Sequence, residues 1–173
     1  MFPKMRRIKQ ELPLEECLQI LDRNTAGVLG TCGTEGYPYA VPLSYVYLRN
    51  EKSKQIESDP KQLGRIVFHC SLKGHKIDAL RENPRVSFCV IDQDDVIPEE
   101  FATHYKSVIA FGTARFVDDE AEKRALLTEL GAKYSPGLDT EAQEEIDRFI
   151  RATCVIAIDV ERLSGKQAKG LTG

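Results

Sequence analysis

Six strand-like runs lie along this 173-residue chain, at 26–32, 37–47, 64–70, 85–91, 105–116 and 153–160, and helical patterns do not alternate regularly with them. Parallel neighbours need a crossover of a dozen or more residues, usually a helix, between each pair of strands. The order found here denies that to most neighbours. An antiparallel sheet with helices at its margins follows, so the expected fold class is α+β, a six-stranded antiparallel barrel with peripheral helices. The length suits one domain over 1–173, with a core over 5–163 and a polar tail over 164–173.

The helices are marked by spacing and punctuation. Leu14, Cys17, Leu18 and Leu21 recur on one face after Pro13, with Glu15 and Glu16 in the first turn, which predicts a helix over 13–23. A second over 74–82 stops before Asn83-Pro84. A third begins at Asp118-Asp119-Glu120, covers 119–134 and is broken by Ser135-Pro136-Gly137; a fourth covers 140–151. Gly33-Thr34-Glu35-Gly36 reads as the turn of a hairpin, and 49–62 as a long charged connection. Segment 92–100 reads as an acidic loop that lacks the glycine and spacing of a calcium site. Val86, Phe88 and Val90 share one face of their strand.

Bulk properties remove several function classes. With 42% hydrophobic and 29% charged residues and a net charge of −3, the chain has no cationic excess for nucleic acid. Lys4, Arg6, Arg7 and Lys9 read as a short solvated arm. No apolar run approaches the ~20 residues that cross a bilayer, and no secretory segment opens the chain, so a cytoplasmic protein without membrane contact is expected. The cysteines number five, an odd count without Cys-x-x-Cys spacing, which fits a reducing compartment and small core residues. No zinc site is expected, since His69 and Cys70 are strand neighbours and point to opposite faces.

One segment has the form of an anion site. Phe68-His69-Cys70-Ser71-Leu72-Lys73-Gly74-His75-Lys76 runs from an apolar strand through a basic, glycine-containing turn into a helix. Backbone N–H groups, cationic side chains and the positive end of a helix dipole converge in such a turn, as a phosphate requires. Taken alone, such a turn is more often a solvated surface turn than a phosphate cradle.

Two further segments accompany it: Tyr37-Pro38-Tyr39-Ala40-Val41-Pro42-Leu43-Ser44 upstream and Tyr105-Lys106-Ser107-Val108-Ile109-Ala110-Phe111-Gly112 downstream. With Met5-Arg6-Arg7 at the start, these segments in this order resemble the flavin-binding split-barrel proteins, the superfamily of pyridoxamine 5′-phosphate oxidase. The nearest likeness is to its nitroimidazole-resistance or nitroimidazole-reductase branch. The resemblance implies a split β-barrel homodimer that binds FMN, or FAD, at the subunit interface. It implies phosphate contacts from Ser71, His75 and Lys76, where His75 stands in place of an arginine common in relatives. It implies that the flavin ring lies against Ala40, Val41, Pro42, Leu43 and Ser44, with His69 and Cys70 beside it and Tyr105 and Ser107 on a strand near the interface. His69 is then the candidate catalytic residue, for orienting a ligand or donating a proton; otherwise it is a histidine buried and satisfied by backbone.

The implied activity is flavin-dependent oxidation or reduction of a small planar molecule, of the nitroaromatic class, with NAD(P)H as electron donor. The rival is a non-catalytic flavin- or haem-binding module. Pyridoxamine-phosphate oxidation itself is disfavoured, because the C-terminal segment lacks the arginine-rich signature that the resemblance would require.

Overall fold

The computed structural model describes residues 5–33, 36–50 and 63–172. The connection expected over 49–62 and the turn at Thr34-Glu35 lie largely outside them. Seven strands, β1 (Ala26–Cys32), β2 (Pro38–Ser44), β3 (Val46–Leu48), β4 (Arg65–Ser71), β5 (Arg85–Ile97), β6 (Ala102–Phe116) and β7 (Thr153–Gln167), form one antiparallel sheet in the order β2-β1-β5-β6-β7-β4-β3. Four helices accompany it: α1 (Leu14–Arg23), α2 (His75–Glu82), α3 (Glu120–Tyr134) and α4 (Asp139–Phe149).

The run expected as one strand over 37–47 is two, and the division makes the barrel. β2 and β3 stand at opposite edges of the sheet yet are joined through Tyr45 alone, so the sheet curls until its edges meet there. Tyr45 is fully buried. Its hydroxyl donates to the Leu21 carbonyl at 2.7 Å, and its ring meets Phe88 edge-on at 4.9 Å. The Tyr134 hydroxyl accepts from the Tyr45 N–H at 2.8 Å, which ties the corner to α3.

Two other expectations are corrected. The acidic segment 92–100 is not a loop, because β5 runs to Ile97 and pairs with β6 up to Ala102. A register shift between Ile91 and Gln93 turns Asp92 toward α1, and the remaining carboxylates ride on the exposed faces of a long hairpin. The supposed polar tail is partly strand: β7 continues to Gln167, with Ser107 opposite Lys166 and the Leu12 N–H bonded to the Gly165 carbonyl at 3.0 Å. Backbone pairing satisfies these polar residues as well as apolar ones, so hydropathy alone understates both strands.

Strand alternation divides the apolar residues into two cores. Ile66, Phe68, Phe88, Val90, Val108, Ile156 and Ile158 point into the barrel, where Cys17, Leu18, Ile20 and Leu21 of α1 close one end. Val67, Val155 and Ala157 point outward under Leu126 and Leu130 of α3. Strands covered on both faces read as continuous apolar runs, as 153–160 does.

Candidate functional site

β4 carries the site because its two faces do different work. Phe68 and Cys70 face the barrel core, whereas His69 is exposed on the other side. The alternative of a buried, backbone-satisfied histidine is thereby removed. His69 lies opposite Val155 and Ser71 opposite Thr153. His69 and Thr153 both line a cavity of about 820 Å³ beneath α3 and α4, walled by Leu127, Leu130, Tyr134, Leu138, Ile146 and Phe149, with Ser44 at its rim. The basic turn thus departs one strand pair from the cavity wall.

The turn presents the groups that an anion would need. Gly74 precedes α2 with φ of +133°, a conformation that L side chains rarely adopt, and it brings no side-chain cap to the helix start. The intrahelical bonds begin at Ile77 and Asp78, both donating to the Gly74 carbonyl. The backbone N–H groups of His75 and Lys76 therefore stand in the orphan first turn of a helix, where the dipole favours negative charge. Ser71 and His75 are exposed, Lys76 is half-buried, and the His75 ring packs edge-on against Tyr39 of β2 at 4.5 Å. Turn and edge strand are so held together.

On β2, Val41 and Leu43 pack against the barrel core, while Ala40, Pro42 and Ser44 face out. Their outward row is continuous across the sheet: Pro42 opposes Val28, Val28 opposes Cys89, Cys89 opposes Ile109 and Ile109 opposes Ser164. This face is small-residued and apolar, with Val28 and Ile109 each 37% exposed and Ile91 62%.

Cys70 does not share the outward face with His69; it points inward, toward Cys154. Tyr105 and Ser107 are likewise not brought to the turn within one chain. Ser107 pairs with Lys166, whereas Ser71 pairs with Thr153, so roughly 40 Å of β7 separates the two places at about 3.3 Å per residue. The Lys166 ammonium lies 5.6 Å from the centre of the Tyr105 ring.

The wall formed by α3 and α4 is what the sequence reading missed. Leu138 and Phe149, which line it, remain 49% and 45% exposed.

A family model described as pyridoxamine 5′-phosphate oxidase matches residues 13–167. The chain belongs to that family. Solved structures agree on the fold. A conserved hypothetical protein from Mycobacterium tuberculosis is 20% identical with a TM-score of 0.75, over 97% of this chain and 92% of that one. The FAD and haem binding protein from Mycobacterium smegmatis is 22% identical with a TM-score of 0.72, over 95% and 76%. A Bacteroides thetaiotaomicron protein provisionally named for 5-nitroimidazole antibiotic resistance is 20% identical with a TM-score of 0.67, over 91% and 86%. At such identities the likeness establishes the split-barrel fold and not the activity. A search of curated proteins returned no match.

Proposed function

We propose that this family member is a homodimeric, flavin-dependent oxidoreductase that binds FMN and reduces a small planar substrate of the nitroimidazole or nitroaromatic class, with NAD(P)H as donor. The observation that carries the reading is an exposed histidine opening on an apolar cavity one strand pair from a glycine-preceded, basic helix start.

The residues present fit a flavin. Its phosphate needs N–H donors, a hydroxyl and a cation, which the start of α2, Ser71 and Lys76 supply, with His75 adding charge when protonated. The outer face of β2 offers the ring a flat surface of Ala40, Pro42 and Ser44. When bound, the flavin supplies the electron chemistry, while the protein binds, orients and excludes water. The α3–α4 wall keeps solvent from the substrate, and His69 orients it or delivers a proton at its Nε2 or Nδ1.

A second copy completes the site in this reading. Tyr105 and Ser107 are too far along β6 to reach their own chain's turn, and a two-fold axis carries them to the partner's. The apolar row from Pro42 to Ser164 is the surface such a dimer would cover.

The second reading, a binder without turnover, draws support from the same imidazole. A histidine facing an apolar cavity could hold a haem iron, and one structural relative is named for binding FAD and haem. The absorbance spectrum of the purified protein, with chromatography of the heat-released chromophore, separates the two. FMN or FAD bands, bleached by NADPH and restored by a nitroimidazole, are expected. A haem Soret band, or flavin that no nicotinamide donor reduces, moves the protein to the second reading. A colourless protein that fails to take up added FMN, FAD or haem defeats both.

A further inference from the structure

We propose that Cys70 and Cys154 are a peroxide-oxidisable dithiol that closes to an intramolecular disulfide, tying β4 to β7 where the basic turn departs. The two residues are direct partners in the antiparallel register, between the His69–Val155 and Ser71–Thr153 pairs. Both side chains belong to the barrel interior: Cys154 is part of the core cluster, and Cys70 packs against it. Directly opposed strand residues have Cβ atoms about 4.5–5.5 Å apart, and a disulfide takes about 3.5–4.5 Å. An approach of about 1 Å between the two strands closes the difference.

The neighbouring Cys70 thiol, more than the charges of Lys123 and Arg81, holds the Cys154 pKa below the ordinary thiol value against the opposing effect of burial. Cys154 and burial together push the Cys70 thiol up. Peroxide oxidation requires a thiol of lowered pKa, a resolving thiol beside it and access from solvent, which here lies on the partly exposed Cys70 side of the pair. The other cysteines lack this arrangement. Cys17 is buried, its thiol pushed up to about 11 by desolvation. Cys32 opposes Pro38, and Cys89 lies between Val28 and Ile109.

The oxidant is hydrogen peroxide. The Cys154 thiolate attacks one peroxide oxygen and the O–O bond breaks, leaving a sulfenic acid and hydroxide. Cys70 gives up its proton and attacks the sulfenic sulfur; the S–S bond forms as the S–O bond breaks. Counting the proton that Cys154 had released to solvent, two thiols are oxidised by two electrons and the peroxide is reduced to two waters. A dithiol reductant reverses the step.

Peptide mapping of the full chain tests it after brief peroxide treatment and alkylation. The expected result is a linked peptide containing Cys70 and Cys154, two hydrogens lighter than its parts and lost on reduction. The linkage should persist in Cys32→Ser, which removes the exposed thiol, and Cys70→Ser should leave Cys154 as a sulfenic acid trapped by dimedone. Alkylation of both Cys70 and Cys154 in peroxide-treated wild type, with oxidation confined to Cys32, overturns the proposal. Because the wild-type chain gives that result directly, a variant that fails to fold does not shelter the idea.

Discussion

The two helical covers of this barrel are built to opposite specifications. α1 closes one end with Cys17, Leu18, Ile20 and Leu21, none more than 2% exposed, and approaches β7 so closely that a Cβ at Gly165 would sit 2.3 Å from the Cys17 sulfur. The α3–α4 pair buries Leu126, Leu130 and Ile146 but leaves Leu138 and Phe149 about half exposed over a cavity of about 820 Å³. Contact at α1 is saturated, so that element is there to hold the fold. Under α3 and α4, among the described residues, apolar surface is left without a partner, as the wall of an apolar ligand site would be.

Truncation should separate the two covers most sharply. Leu21→Ala removes a fully buried side chain and is expected to cost about 2–5 kcal/mol, read as a lower urea midpoint. Phe149→Ala, at a side chain 45% exposed, should cost less than about 1 kcal/mol and act on ligand retention instead. Equal destabilisation by both would erase the contrast and make the cavity a packing defect.

The sequence made the sealed half of the molecule the easier one to read. Leu18 and Leu21 announce α1 by spacing, and Val86, Phe88 and Val90 announce an inward strand face, because burial on one side imposes a period. Tyr45 could not be read as a corner. It sits inside an unbroken strand pattern, and only the meeting of β2 with β3 at opposite sheet edges gives it that role. The extensions of β5 and β7 were hidden by charged residues whose strand conformation comes from backbone pairing. At the site, His69 and the turn from Ser71 to Lys76 were legible because strand, glycine and cations are consecutive. Its α3–α4 wall was not, since it comes from residues more than fifty positions downstream. Cys70 and Cys154 stand 84 positions apart, and register alone brings them together.

A second, smaller effect bears on the ligand side alone. Lys76→Ala would remove the proposed phosphate contact, a charge-assisted bond worth about 1.5–3 kcal/mol, so flavin affinity should fall roughly ten- to a hundredfold with little change in urea midpoint. His69→Ala should weaken flavin binding less and substrate turnover more. Equilibrium titration with FMN measures both, and an unchanged affinity in Lys76→Ala would remove the phosphate assignment.

The corner between the two covers should respond by less again. The Tyr134 hydroxyl accepts from the Tyr45 N–H and lies in donating reach of the Tyr45 and Thr25 carbonyls, so α3 grips the point where β2 becomes β3. Tyr134→Phe should cost about 1–2 kcal/mol, the penalty of leaving such groups unmatched. Faster exchange of the Tyr45 amide in the variant would confirm that the grip is local.

The smallest effect tests whether the α1 seal is electrostatic at all. Arg23, at the end of α1, donates to Asp92 at the register shift of β5, where Asn24 also donates at 2.8 Å. The guanidinium, more than any other neighbour, holds the Asp92 carboxyl below its ordinary value of 3.8. A depressed carboxylate contributes stability that is complete above its unfolded pKa and is lost as pH falls through the folded one. With Arg23 about half exposed, the pair is worth at most about 1 kcal/mol. Arg23→Ala should therefore lie slightly below wild type in thermal midpoint at neutral pH, and the gap should close as pH drops below 3.8. A gap that stayed constant into acid would assign the loss to the packing of the arginine stem, and a gap as large as that of Leu21→Ala would mean that charge, not apolar contact, holds α1 on the barrel.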